Sequence, residues 1–134
     1  MGGGGCTGYA QRHSDMFAAC YAMSALMHIS PADEAKVKEG NKMALMCDAA
    51  YRNSCVEYVK QADDARKEQL RSVQWFVDCG DDDYLFDGNV DFVRALRSHK
   101  IPVEFRVRDG GHSWIYWQTA LPDILTYVSI GFME

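Results

Sequence analysis

Apolar positions recur along the chain with two different periods, and the alternation between them predicts the element order. Residues 17–24 are a short, nearly continuous apolar run, the pattern of a strand buried on both faces. Val73 to Cys79 is a second strand, ended by Gly80. Pro102 to Val107 alternates apolar and polar residues, which predicts a strand with one exposed face near a sheet edge, ended by Gly110-Gly111. Helical spacing fills the intervals. Residues 3 to 13 place Cys6, Tyr9, Ala10 and His13 near one face; residues 88 to 99 turn Val90, Val93 and Leu96 inward. Residues 113 to 129 carry Trp114, Trp117, Leu121, Ile124, Leu125 and Val128 at the same spacing, with Pro122 a kink or restart point. Strand–helix–strand–helix order implies an α/β fold, a parallel sheet with helices on its faces.

The middle of the chain is more polar. Pro31 followed by Asp33-Glu34 reads as a helix start. Asn53-Ser54 is positioned to cap a helix whose apolar side is Val56, Val59 and Ala62. Lys60 to Arg71 reads as a solvated face. Gly4, Gly5 and Gly8 each cost a helix interior about 1 kcal/mol against alanine, an expense usually offset by close approach of another backbone.

Composition narrows the classes. The chain has 134 residues, 48% of them hydrophobic, enough for one globular core and too many for a disordered tail. A net charge of −5 argues against a nucleic-acid partner, which calls for a basic face. No apolar run reaches membrane-spanning length, so no membrane is expected as partner. The first residues lack the basic and apolar regions of a secretory signal. Five cysteines form no C-x-x-C pair and no zinc spacing, so no metal or cofactor is expected. They read as buried free thiols, with Cys47 and Cys55 the first pair to test in an oxidising compartment.

Two loops can carry chemistry. In a parallel sheet, functional groups gather beyond the carboxyl ends of the strands. Gly80-Asp81-Asp82-Asp83 follows one strand and Gly110-Gly111-His112 follows the next, so Asp83 and His112 fall side by side. A carboxylate there can hold the imidazole in one tautomer and stabilise its charged form. Polar-turn and surface roles are the plain alternatives for both. The aspartates are a poor calcium loop, with Leu85 where a ligand belongs. Core packing suits Trp114 and Trp117, whereas Tyr116 faces the other way and is the better ligand contact. No serine lies in a G-x-S-x-G turn. Gly2 to Gly5 lacks the Lys-Ser/Thr of a phosphate loop.

These motifs together resemble the esterase branch of the α/β-hydrolases that includes esterase D, feruloyl and acetyl-xylan esterases and mycolyltransferases. Met1-Gly2-Gly3-Gly4 is similar to the end of that family's G-x-S-M-G-G elbow. His13 to Ala19 is similar to the segment joining the elbow helix to the next strand. Asp78-Cys79-Gly80-Asp81-Asp82-Asp83 matches the acid loop, and Asp109 to Trp114 with Tyr116-Trp117 matches the histidine loop and its helix. The resemblance implies the C-terminal portion of one α/β-hydrolase domain, with a three-strand parallel part of the sheet flanked by helices and the nucleophilic serine expected just before Met1. It implies Ser-His-Asp hydrolysis of a small-molecule or carbohydrate ester, with His112 as base then acid and Asp83 orienting it. The Met1 backbone N–H would give half of the oxyanion hole. As an isolated chain, negligible esterase activity is expected. The alternative is a non-catalytic interaction module or inactive remnant. The strand at 17–24 would then offer an apolar edge through which the chain pairs with another, a second copy included.

Overall fold

The computed structural model describes residues 2–29 and 42–133. The helix start at Pro31 and the backbone of Met1 lie outside the described residues. Helix α1 (Gly2–Arg12) leads to strand β1 (Ala19–Met23); α2 (Lys42–Arg52), α3 (Cys55–Lys60) and α4 (Asp64–Arg71) follow. Then come β2 (Gln74–Gly80), α5 (Phe86–Ser98), β3 (Val103–Arg108) and α6 (Trp114–Ile130). The strands form a parallel sheet in the order β1-β2-β3. Met23 pairs with Asp78, and Gly80 with Arg108, so all three carboxyl ends reach one edge.

Each face of the sheet has its own cover. Cys20, Ala22, Trp75 and Val77 point into a core with Ala10, Val56, Val59, Leu70, Phe92 and Leu96, drawn from α1, α3, α4 and α5. Tyr21 and Phe76 face the other way, stack at 4.3 Å, and take Tyr127 of α6 edge-on. Burial with the nearby Glu104 carboxylate pushes the Tyr127 phenol up to about 12. Central β2 is buried along nearly its whole length, whereas β3, which among the described residues pairs only with β2, is half exposed, as an edge strand should be.

The caps follow the sequence. Ser54 accepts the Glu57 N–H to start α3, and Val56 and Val59 are its buried side; Ala62 is buried just beyond it. Asp63 caps α4 in the same way through the Arg66 N–H.

Four expectations change. β1 is shorter than 17–24 and is not buried on both faces, since Phe17 is exposed and Tyr21 only half-buried. The inward side of α1 is Thr7, Ala10 and Gln11, not Cys6, Tyr9 and His13. Backbone contact decides this: a Cβ on Gly3 would lie 2.7 Å from the Met23 carbonyl oxygen, and one on Gly4 2.4 Å from that of Leu26. Gly5 meets nothing within 4 Å and Gly8 only the Arg12 side chain, so close approach explains just the first part of the glycine run. Helix α5 starts at Phe86, and its buried side is Asn89, Phe92, Val93, Ala95 and Leu96, with Val90 only half-buried. Helix α6 buries Tyr116 and Ala120, leaving Trp114, Leu121 and Leu125 exposed. The rest of the apolar stripe, Trp117, Ile124 and Val128, is half-buried.

Candidate active site

Two loops beyond the sheet edge are tied to each other before any side-chain chemistry enters. The Asp81 N–H donates to the Arg108 carbonyl at 3.1 Å, and the Asp82 N–H to that of Gly110 at 3.1 Å. In return, the Gly110 N–H donates to the Asp81 carboxylate at 3.1 Å. Such closeness requires glycine: a Cβ on Gly80 would sit 2.0 Å from the Gly110 oxygen, and Gly110 itself has φ +134°.

That clamp fixes the acid and the imidazole. Asp83 is buried, and one carboxylate oxygen accepts the Leu85 N–H at 2.9 Å. Its other oxygen lies 3.0 Å from Nδ1 of His112. Since the carboxylate accepts, Nδ1 carries the proton, which leaves Nε2 as the basic nitrogen. Rings of Tyr84 and Trp117 flank the imidazole at 4.9 Å and 4.8 Å. Ser113 then caps α6 by accepting the Tyr116 N–H.

A cleft of about 280 Å³ opens beside His112, lined by Gly2, Gly3, Met23, Ser24, Trp114 and Trp117. The N-terminal end of α1 therefore faces the imidazole. Ser24 has φ +43°, but it is buried and its hydroxyl accepts the Trp117 indole N–H at 3.0 Å. It is a structural partner of the tryptophan beside His112.

Tyr116, expected as a ligand contact, is turned inward. It is buried, and its hydroxyl donates to the Asp78 carboxylate; burial and that bond push its phenol well above the ordinary range. Asp78 is fully buried and also accepts the Tyr21 hydroxyl at 2.6 Å and Arg108 at 3.4 Å. This cluster anchors the first turn of α6, and so the loop bearing His112, to the centre of β2. Composition and spacing missed it because a mid-strand aspartate reads as a polar interruption. The better signal is that Asp78 stands where every neighbour in β2 is buried. Tyr84, beside the acid loop and exposed, was missed also; adjacency to Asp83 was its only mark. Trp114, expected in the core, is exposed at the cleft mouth.

No protein-family model and no curated protein matches the chain. Among solved structures, a ferulic acid esterase is 55% identical over 98% of this chain, with a TM-score of 0.89. The chain belongs to the esterase family of α/β-hydrolases. Two Staphylococcus aureus proteins share the fold: the S-formylglutathione hydrolase FrmB, at 22% identity over 96% of the chain and TM-score 0.69, and the fluorophosphonate-binding serine hydrolase FphF, at 24% over 95% and 0.71. The chain spans about half the length of each, 49%, 47% and 50% in turn. A partial α/β-hydrolase sheet is therefore what the fold is, and the esterase resemblance carried by the two loops holds over nearly the whole chain.

Proposed function

We propose that this chain supplies the acid and the general base of a serine esterase acting on carboxylic esters. His112 is the base and then the acid, Asp83 orients it, and the resemblance implies a nucleophilic serine just before Met1. The 3.0 Å contact between Asp83 and His112 is the observation that carries this reading. In the reaction, Nε2 takes the serine proton as oxygen attacks the ester carbonyl. The imidazolium, stabilised by Asp83, then gives the proton to the departing alcohol, and water repeats the sequence on the acyl-serine. By the family resemblance, the Met1 backbone N–H would give half of the oxyanion hole. The relative named for ferulic acid favours an aromatic acyl group on a carbohydrate as the substrate class, and the exposed rings of Tyr84 and Trp114 offer flat surfaces for one.

The test is a chimera in which this chain replaces the matching half of that ferulic acid esterase. The chimera is expected to hydrolyse p-nitrophenyl acetate and a feruloyl ester, and His112→Ala to abolish both. A folded chimera whose turnover survives His112→Ala contradicts the proposal.

A second reading, association without chemistry, is favoured by the surface. Among the described residues β1 pairs only with β2, and Trp114, Ile115, Leu125 and Phe132 are all exposed on or just beyond α6. Sedimentation of the isolated chain decides it: self-association supports this reading, and a monodisperse monomer that unfolds cooperatively counts against it.

A further inference from the structure

One cysteine lies on α1 and two lie beside it, and two of the three meet. The sulfurs of Cys6 and Cys20 are 3.8 Å apart, with Cys6 exposed on α1 and Cys20 buried on β1. Thr7 closes the group: its hydroxyl donates to the Gly3 carbonyl at 2.7 Å and lies 3.9 Å from the Cys20 sulfur. Cys55 is set apart, its sulfur directed at the Gly4 carbonyl at 3.7 Å. Neither Cys6 nor Cys20 takes part in the esterase mechanism.

We infer that Cys6 and Cys20 form a redox-active dithiol site, in which Cys6 attacks a low-molecular-weight disulfide such as glutathione disulfide and Cys20 resolves the adduct to an internal disulfide. The geometry gives the two sulfurs different roles. Cys6 is reachable by a reagent, whereas Cys20 is enclosed and can attack only its neighbour. Electrostatics agree in direction: the hydrogen bond from Cys20 lowers the Cys6 thiol against the opposing effect of burial, which favours Cys6 over Cys20 as the attacking thiolate. Cys20, the proton holder of the pair, is pushed far up by that same bond and by burial.

The exchange balances in two steps. The Cys6 thiolate bonds to one sulfur of glutathione disulfide, whose S–S bond breaks to release one glutathione thiolate. With Cys6 capped, the thiolate that held the Cys20 proton is gone. Cys20 then loses that proton and its sulfur bonds to Cys6, and the second glutathione leaves as thiolate and takes up the proton. Two protein thiols are oxidised, and one glutathione disulfide is reduced to two glutathiones. Closure from 3.8 Å to a bond of about 2 Å draws α1 towards β1. Because Gly2, Gly3 and Met23 line the cleft beside His112, the bond sits next to the proposed esterase site without depending on it.

The test treats the reduced, folded protein with glutathione disulfide, blocks free thiols with N-ethylmaleimide and maps tryptic peptides by mass. Cleavage after Arg12 separates the two cysteines. The expected result is a cross-linked Cys6–Cys20 pair, with Cys47, Cys55 and Cys79 unlinked, and a lasting glutathione adduct on Cys6 in Cys20→Ser. Free Cys6 and Cys20 in the wild type, a glutathione adduct on Cys6 that persists there, or a link from Cys6 to Cys55 each overturn the inference. The wild-type map decides even if the variant does not fold.

Discussion

Gly80→Ala puts one methyl group where the acid and histidine loops touch. A Cβ at this position lies 2.0 Å from the Gly110 carbonyl oxygen, 2.7 Å from its carbon and 3.3 Å from the Tyr116 ring, whereas ordinary contact begins near 3.4 Å. The backbone must therefore part by more than an ångström, and rotamer changes offer no relief because the obstacle is main chain. Separation breaks the Asp82-to-Gly110 hydrogen bond and moves the segment two residues before His112. Overpacking of this kind costs about 1–3 kcal/mol, and a backbone clash belongs at the upper end. With a urea slope of about 1–3 kcal/mol per molar, the unfolding midpoint should fall by roughly 1.5 M. Gly111→Ala is the internal control: its Cβ meets nothing nearer than the Asp82 oxygen at 3.5 Å, so it should stay within about 0.5 kcal/mol of the wild type. Equal urea midpoints for the two variants refute the claim that close loop apposition fixes the site.

Within α1, Gly5→Ala should stabilise by about 1 kcal/mol, since its Cβ enters open space, while Gly4→Ala should destabilise against the Leu26 carbonyl; thermal melts compare them. Asp78→Ala removes the acceptor of Tyr21, Tyr116 and Arg108 and should cost about 3–5 kcal/mol in urea unfolding. Tyr21, Tyr116 and Tyr127 are all held above their ordinary value of 10.0, chiefly by burial, so the folded state keeps protons that the unfolded state releases. Their contribution is complete below pH 10.0 and is lost as pH rises through the folded values; urea midpoints should therefore decline above pH 10 and not between pH 7 and 9. In the esterase chimera, Asp83→Asn should lower kcat by about four orders of magnitude while leaving the fold intact, because the amide no longer selects the productive tautomer.

Much of this fold was legible before any coordinates. Strand-then-glycine punctuation at Gly80 and at Gly110-Gly111 located both site loops, because a parallel sheet sends consecutive carboxyl ends to one edge. Asp83 and His112 could be paired on that topology alone. Inward faces were harder to read. In α6 apolar residues stand on both sides, so periodicity alone could not tell the Tyr116 and Ala120 side from the Trp114 and Leu125 side. The choice is made by a hydroxyl reaching Asp78, a contact across 38 positions. In α1 the burial of Thr7 and Gln11 follows from glycine backbone lying against Met23 and Leu26, again a long-range matter. The Cys6–Cys20 contact was hidden for the same reason: neither spacing nor motif places a helix residue over a particular strand residue.

The central claim is that Asp83 holds His112 through Nδ1, and nitrogen NMR of the histidine side chains measures it directly. The account predicts that the neutral His112 ring carries its proton on Nδ1, with a slowly exchanging N–H resonance that disappears in Asp83→Ala. A ring protonated on Nε2, or an Nδ1 proton indifferent to the loss of Asp83, would contradict it.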